Sequence, residues 1–194
     1  MITGKIVLVF LGKINMKTHK EINGWFDYLD VYDFIISTIP DNGIFVECGA
    51  WLGASSSYLC DRAEDRIKVF IVDTWKGSDD ELTTTQKLAT TTDIYEIFID
   101  NMGDRKFTAI RKPSIEAAND FQDESCDAVY IDMQHTYESV IQDLKAWYPK
   151  VKKGGYIAGH DVYLDGVNKA VKEFFGSYYD IIGKCDCSWI VQKV

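Results

Sequence analysis

The chain has no CxxC pair, no long apolar run, few prolines and a shortage of bases, and each deficit closes off a class of protein. Its five cysteines, Cys48, Cys60, Cys126, Cys185 and Cys187, are odd in number and lack the paired spacing of a structural zinc site or a disulfide framework. A reducing, cytoplasmic setting is therefore expected. Cys185-Asp186-Cys187 is expected at a turn between two C-terminal strands, as inert thiols. The N-terminal run Ile6–Leu11 falls far short of the ~20 apolar residues of a membrane span, and no small-residue cleavage site follows it. A short strand is expected there, with no membrane association. Only 3 prolines, beside 46% hydrophobic residues, exclude disordered and collagenous chains. The 21 Lys and Arg residues against 30 Asp and Glu leave a net charge of −9. A nucleic-acid partner is not expected, because a phosphate backbone calls for a basic face.

What is present is alternation. Short apolar runs at Ile44–Cys48, Lys68–Asp73, Phe107–Arg111, Ala128–Asp132 and Tyr156–Ala158 read as strands. Tyr179–Gly183 and Ser188–Gln192 read as a closing antiparallel hairpin. Helices are expected over Asn23–Thr38, Ser55–Arg62, Ile94–Met102, Ser114–Phe121, Tyr137–Tyr148 and Gly166–Phe175. This is the βαβ pattern of an α/β fold, a mostly parallel sheet covered on both faces. No repeat or linker divides the chain, so one domain over 1–194 is expected, with 1–39 as an N-terminal extension and 40–194 as its core. The polar stretch Gly77–Thr92 fits neither element and is long enough to be a lid or binding loop.

Four motifs sit at strand tips. In Val46-Glu47-Cys48-Gly49-Ala50-Trp51-Leu52-Gly53-Ala54-Ser55 a strand runs through a glycine turn into a helix that Ser55 can cap. The absent GxGxxG and the acid Glu47, expected to point at the crevice, disfavour a pyrophosphate and suit a cationic ligand. Asp73 ends the next strand, where an acid can accept both hydroxyls of a ribose. Trp51 and Trp75 follow strand tips and could wall a nucleoside pocket. Asp132, His135, His160 and Asp161 follow two further strands, and in a parallel sheet such tips share one rim. Two carboxylates and an imidazole there can hold a hard divalent ion, with His135 as a general base.

Taken together, the chain resembles class I S-adenosylmethionine-dependent methyltransferases, within them the macrocin O-methyltransferase-like and cephalosporin hydroxylase-like group. The resemblance rests on the Glu47–Ser55 segment, Val72-Asp73-Thr74-Trp75-Lys76-Gly77-Ser78, Pro113-Ser114-Ile115-Glu116-Ala117-Ala118 and Tyr130-Ile131-Asp132 with His135-Thr136-Tyr137-Glu138. It continues through Lys153-Gly154-Gly155-Tyr156-Ile157-Ala158-Gly159-His160-Asp161 and Gly166-Val167 to Phe174-Phe175-Gly176. It implies a Rossmann-like seven-stranded sheet in order 3-2-1-4-5-7-6 with strand 7 antiparallel. It also implies S-adenosylmethionine bound by Glu47, Gly49, Trp51, Gly53, Ser55, Asp73, Trp75, Ser114 and Asp132. Glu47 and Gly49 would face the methionine, Asp73 the ribose and Ser114 the adenine. By analogy with metal-dependent relatives, Asp132, His160 and Asp161 would ligate Mg²⁺, and His135 with Asp132 would be catalytic. The expected reaction is methylation of a hydroxyl oxygen on a small-molecule or glycan acceptor, in a monomer or a homodimer with an N-terminal arm. A hydroxylase or oxidoreductase on the same scaffold, and a non-catalytic nucleoside-binding module, stay open as alternatives.

Overall fold

The structure, a computed structural model, describes residues 16–77, 85–184 and 186–194. The strand expected over Ile6–Leu11, Ser78 and Cys185 lie outside those residues. Strands β1 (Ile44–Cys48), β2 (Lys68–Asp73), β3 (Thr108–Arg111), β4 (Cys126–Ile131), β5 (Val151–Gly159), β6 (Asp180–Ile182) and β7 (Ser188–Gln192) build one sheet. Its order is β3-β2-β1-β4-β5-β7-β6. β1 pairs in parallel with β2 and β4, β2 with β3, and β4 with β5. Only β7 is reversed, antiparallel to both β5 and β6. This is the Rossmann-like methyltransferase fold the resemblance implies.

The helices are α1 (Leu29–Thr38), α2 (Ala54–Ala63), α3 (Thr85–Thr91), α4 (Ile94–Met102), α5 (Ser114–Ala117), α6 (Tyr137–Trp147) and α7 (Asp165–Phe175). Strand pleating divides the core in two, because successive side chains point to opposite faces. Phe45 joins residues of α1, α2 and α4 on one face. Val46 and Cys48 join residues of α5, α6 and α7 on the other. The buried side chains of α1, Val31, Tyr32, Ile35 and Ile36, recur at helical spacing, and Pro40 lies just past its end. Asp93 and Thr136 cap α4 and α6, accepting from the Tyr95 and Ser139 amides. Among the described residues no helix is long and apolar enough to cross a membrane.

Four expected elements differ. The helix expected from Asn23 starts only at Leu29, and residues 23–28 have no regular structure. The helix expected to run to Phe121 stops at Ala117 and tightens into a 3₁₀ turn over Ala118–Asp120. β5 begins at Val151 rather than Tyr156: Val151 pairs with Cys126 and Tyr156 with Ala128, so residues 152–155, the glycine pair among them, fall in the register shift between the two. Within Gly77–Thr92, Thr85–Thr91 is helical.

The sheet order reverses between β1 and β4, so a crevice opens at their carboxyl ends. Cys48 lies opposite Ile131, and Ile131 opposite Gly159. The residues that follow, Gly49, Asp132 and His160, therefore emerge together.

Candidate active site

A cavity of about 930 Å³ occupies this crevice, within the range of about 300–1,000 Å³ typical of small-molecule sites. Its walls include Gly49, Trp51, Ser55, Asp73, Ser114, Asp132, His135, His160 and Asp161. Nine expected site residues thus share one cavity. Glu47, Gly53 and Trp75 do not reach it.

Glu47 is turned away by the pleat of β1. It shares the Phe45 face, under α1 and α2, and is fully buried there. The Tyr32 hydroxyl donates to its Oε1 at 2.7 Å and the Ser56 hydroxyl donates to its Oε2. The expectation that Glu47 points at the crevice is corrected accordingly. Burial pushes its pKa from 4.5 to about 7, with hydrogen bonds from Ser55, Ser56 and Tyr32 opposing the rise. A raised acid binds more protons folded than unfolded, so its contribution is fully present below about pH 4.5 and is lost as pH rises to about 7. Denaturant unfolding of wild type and Glu47→Gln across that window should show their stability difference moving by about 3 kcal/mol in favour of the variant. Parallel curves would refute the buried acid.

Gly53 occupies the N-cap of α2 with φ +93° and no side-chain cap, so Ser55 lies inside the helix and does not cap it. A Cβ on Gly53 would stand 3.1 Å from Phe98 and 3.2 Å from Met102. Its bareness serves helix packing rather than a ligand. Asp73 stands at the cavity, but its carboxylate holds backbone: Oδ2 accepts from the amides of Ala50 (2.9 Å) and Trp51 (3.0 Å), and Oδ1 from that of Trp75 (2.7 Å). Trp75, expected as a pocket wall, is core. It is buried against Tyr95 and Phe98, and its Nε1 donates to the Trp51 carbonyl at 3.0 Å. The Trp147 indole donates to Ser114 Oγ at 2.8 Å, which fixes that hydroxyl at the cavity. Asp143 lines the cavity beside it, pushed up to about 6 by burial against a hydrogen bond from Ser114.

The opposite end is the charged rim. His135 Nε2 lies 2.9 Å from Asp161 Oδ2 and 3.9 Å from Asp132 Oδ1. The Tyr28 hydroxyl donates to Asp132 Oδ2 at 3.0 Å. His160 Nδ1 is 3.1 Å from Asp161 Oδ1, and its Nε2 is 3.1 Å from Asp27 Oδ1. The carboxylates of Asp132, then Asp161, push His135 up to about 10 despite its burial. Burial would lower His160, but Asp161 and the surrounding carboxylates outweigh it and push it up to about 9. Burial likewise opposes charge on Asp161, yet hydrogen bonds from His135, His160 and Tyr163 hold it well below the usual carboxylate range. Asp161 itself has a left-handed backbone, φ +57°, which turns its carboxylate between the two imidazoles.

Donor atoms of Asp132, His135 and Asp161 lie within 4.8 Å of one another. Two hard carboxylates suit Mg²⁺, which completes its shell with water or substrate oxygens. His160, expected in that set, instead turns Nε2 to Asp27.

A family model described as a methyltransferase domain matches residues 46–162, more than half of the chain and the span that holds this rim. The chain belongs to that methyltransferase family. The family implies S-adenosylmethionine as methyl donor. The chain is 27% identical over 120 residues to the uncharacterized protein y4gI of Sinorhizobium fredii, a match covering 60% of the chain and 13% of y4gI. The chain thus spans about an eighth of the length of that curated relative. Its fold matches the O-methyltransferase NovP with TM-score 0.60 at 17% identity, over 86% of this chain and 79% of NovP. The calicheamicin methyltransferase CalS11 matches with TM-score 0.57 at 12% identity, over 84% of this chain and 76% of CalS11. At these identities the likeness is one of fold.

One wall of the cavity is not legible in the sequence. Asn23, Gly24, Trp25, Asp27 and Tyr28 come from the segment read as helix, and Tyr163 from the loop before α7. The Asn23-Gly24 pair, a turn signal, was the available hint.

Proposed function

We propose that the chain moves the methyl group of S-adenosylmethionine to a hydroxyl oxygen of a small-molecule or sugar acceptor, with His135 as general base. The observation that carries this reading is the placement of His135 Nε2 between Asp132 and Asp161 at the mouth of the cavity. When bound, the donor supplies an already activated methyl, so the protein's work is alignment and proton removal. The Gly49–Trp51 turn and Ser114 line the end assigned to the nucleoside; Asp132, His135 and Asp161 line the end assigned to the acceptor. Carboxylates beside Nε2 stabilise the imidazolium that forms when His135 takes the acceptor's proton. The neutral imidazole this requires is favoured when positive charge enters the rim. Asp132 and Asp161 would hold Mg²⁺, whose charge lowers the pKa of a coordinated hydroxyl.

Calorimetric titration with S-adenosylmethionine, with and without Mg²⁺ and beside NAD, tests the reading. Micromolar donor binding, about −8 kcal/mol, with no NAD response is expected, followed by formation of S-adenosylhomocysteine when hydroxylated acceptors are added. Absence of donor binding in both conditions would overturn it in favour of a binding module.

A positioning effect follows from α7. Gly166 abuts the chain at His135, where a Cβ would stand 2.2 Å from the His135 carbonyl oxygen. Gly166→Ala therefore displaces His135 without touching any ligand. Its expected signature is a kcat lowered about a hundredfold with donor affinity retained. An unchanged kcat would show that this backbone contact does not position the imidazole.

A further inference from the structure

We infer that Asp27, His160 and Cys187 form a second metal site, for a borderline transition cation such as Zn²⁺, beside the carboxylate rim but chemically distinct from it. Ligand atoms of the three residues lie within 4.8 Å of one another, although they come from the 23–28 segment, the end of β5 and the start of β7. The fold holds them there. The Val162 amide donates to the Cys187 carbonyl at 2.9 Å, tying the start of β7 to the loop after His160. The Tyr28 ring packs 4.7 Å from the His160 ring and anchors the segment that carries Asp27.

The orientation of His160 is that of a metal-bound histidine. Nε2 faces Asp27, while Nδ1 is held at 3.1 Å by Asp161, a residue outside the cluster. A ligating imidazole characteristically has its second nitrogen fixed by a carboxylate in this way. The donor set decides the class of ion. Thiolate, imidazole and carboxylate suit Zn²⁺ and its borderline neighbours, whereas Mg²⁺ calls for oxygen alone. One rim would thus sort cations by softness, oxygen-only ions to Asp132 and Asp161 and softer ions to Asp27, His160 and Cys187. Three protein ligands leave one tetrahedral position. Since Asp27 and His160 both line the cavity, that position opens toward it and can take water or an oxygen of the acceptor.

The inference stands apart from methyl transfer and is tested without the donor. Co²⁺ is titrated into the full chain under a non-thiol reductant and read by absorbance. Expected are one equivalent of Co²⁺, the visible bands of a tetrahedral ion and a near-ultraviolet thiolate-to-cobalt band. Cys187→Ser should abolish the near-ultraviolet band, while Cys185→Ser and Asp132→Asn should keep it. Asp27→Asn, on an exposed side chain that does not threaten the fold, should weaken Co²⁺ binding about tenfold or more. The inference is overturned if wild type shows no thiolate band, if the band survives Cys187→Ser, or if Asp27→Asn binds as tightly as wild type.

Discussion

His135→Ala is expected to lower turnover by about 10²–10⁴-fold, the span a positioned general base supplies, while donor affinity stays as in wild type. The split follows from the site. His135 lies at the charged rim with Asp132 and Asp161, whereas Gly49, Trp51 and Ser114 line the walls assigned to the donor. Removing the imidazole also takes the positive charge from between the two carboxylates, so like charges are left facing one another. His135→Gln keeps bulk and a donor but no basic nitrogen, and should be as inactive as the alanine variant. Turnover by single-cycle kinetics beside calorimetry of donor binding decides the matter. A variant that methylates at the wild-type rate would remove His135 from the reaction. A variant that loses donor binding as well would mean that the imidazole shapes the cavity instead.

Gly49→Ala should be the most damaging methyl group added at any of the glycines compared among the described residues. Gly49 has φ +95°, and a Cβ there would stand 1.7 Å from the Asp132 carbonyl oxygen and 2.6 Å from its carbon. Both obstacles are backbone, and the amide of Asp132 is bonded to the Cys48 carbonyl at 2.8 Å, so neither tip can yield alone. The left-handed conformation costs about 1–2 kcal/mol, and forcing β1 from β4 adds about 1–3 kcal/mol. Donor binding should disappear, because the turn after β1 and the start of the Asp132 loop move together. Gly154→Ala is the control: its φ is +78° with nothing within 4 Å, so it carries the conformational cost alone. Equal denaturation midpoints for the two variants would show that the close approach is dispensable.

Strand tips were legible in the sequence because burial on both faces leaves unbroken apolar runs, and the acids and histidines that end them stand out against it. Hence the rim of Asp132, His135, His160 and Asp161 is legible in the sequence alone. Residues 23–28 could not. Trp25 and Phe26 extend the apolar spacing of α1, and only tertiary contacts, such as Tyr28 stacked on Tyr130 at 4.8 Å, hold the segment out of the helix. Glu47 misled for a related reason: alternation tells that neighbours face opposite ways, but not which helices cover each face. Trp75 sits two residues past a strand tip, yet φ +53° folds it back into the core. Asp161 is the next residue along the chain, but Asp27 and the Tyr28 ring reach His160 from a segment distant in sequence, and no local pattern announces them.

The Asp73 clasp has a kinetic consequence. A carboxylate offers about four acceptor positions, and three already hold the amides of Ala50, Trp51 and Trp75. If Asp73 also takes the ribose diol, as the resemblance implies, two more are needed. At least one amide must therefore let go before the sugar seats, and the segments after β1 and β2, joined through this one side chain, loosen as it does. Docking of the nucleoside is then paced by an opening step inside the protein. The observed association rate should level off as donor concentration rises, instead of climbing in proportion to it.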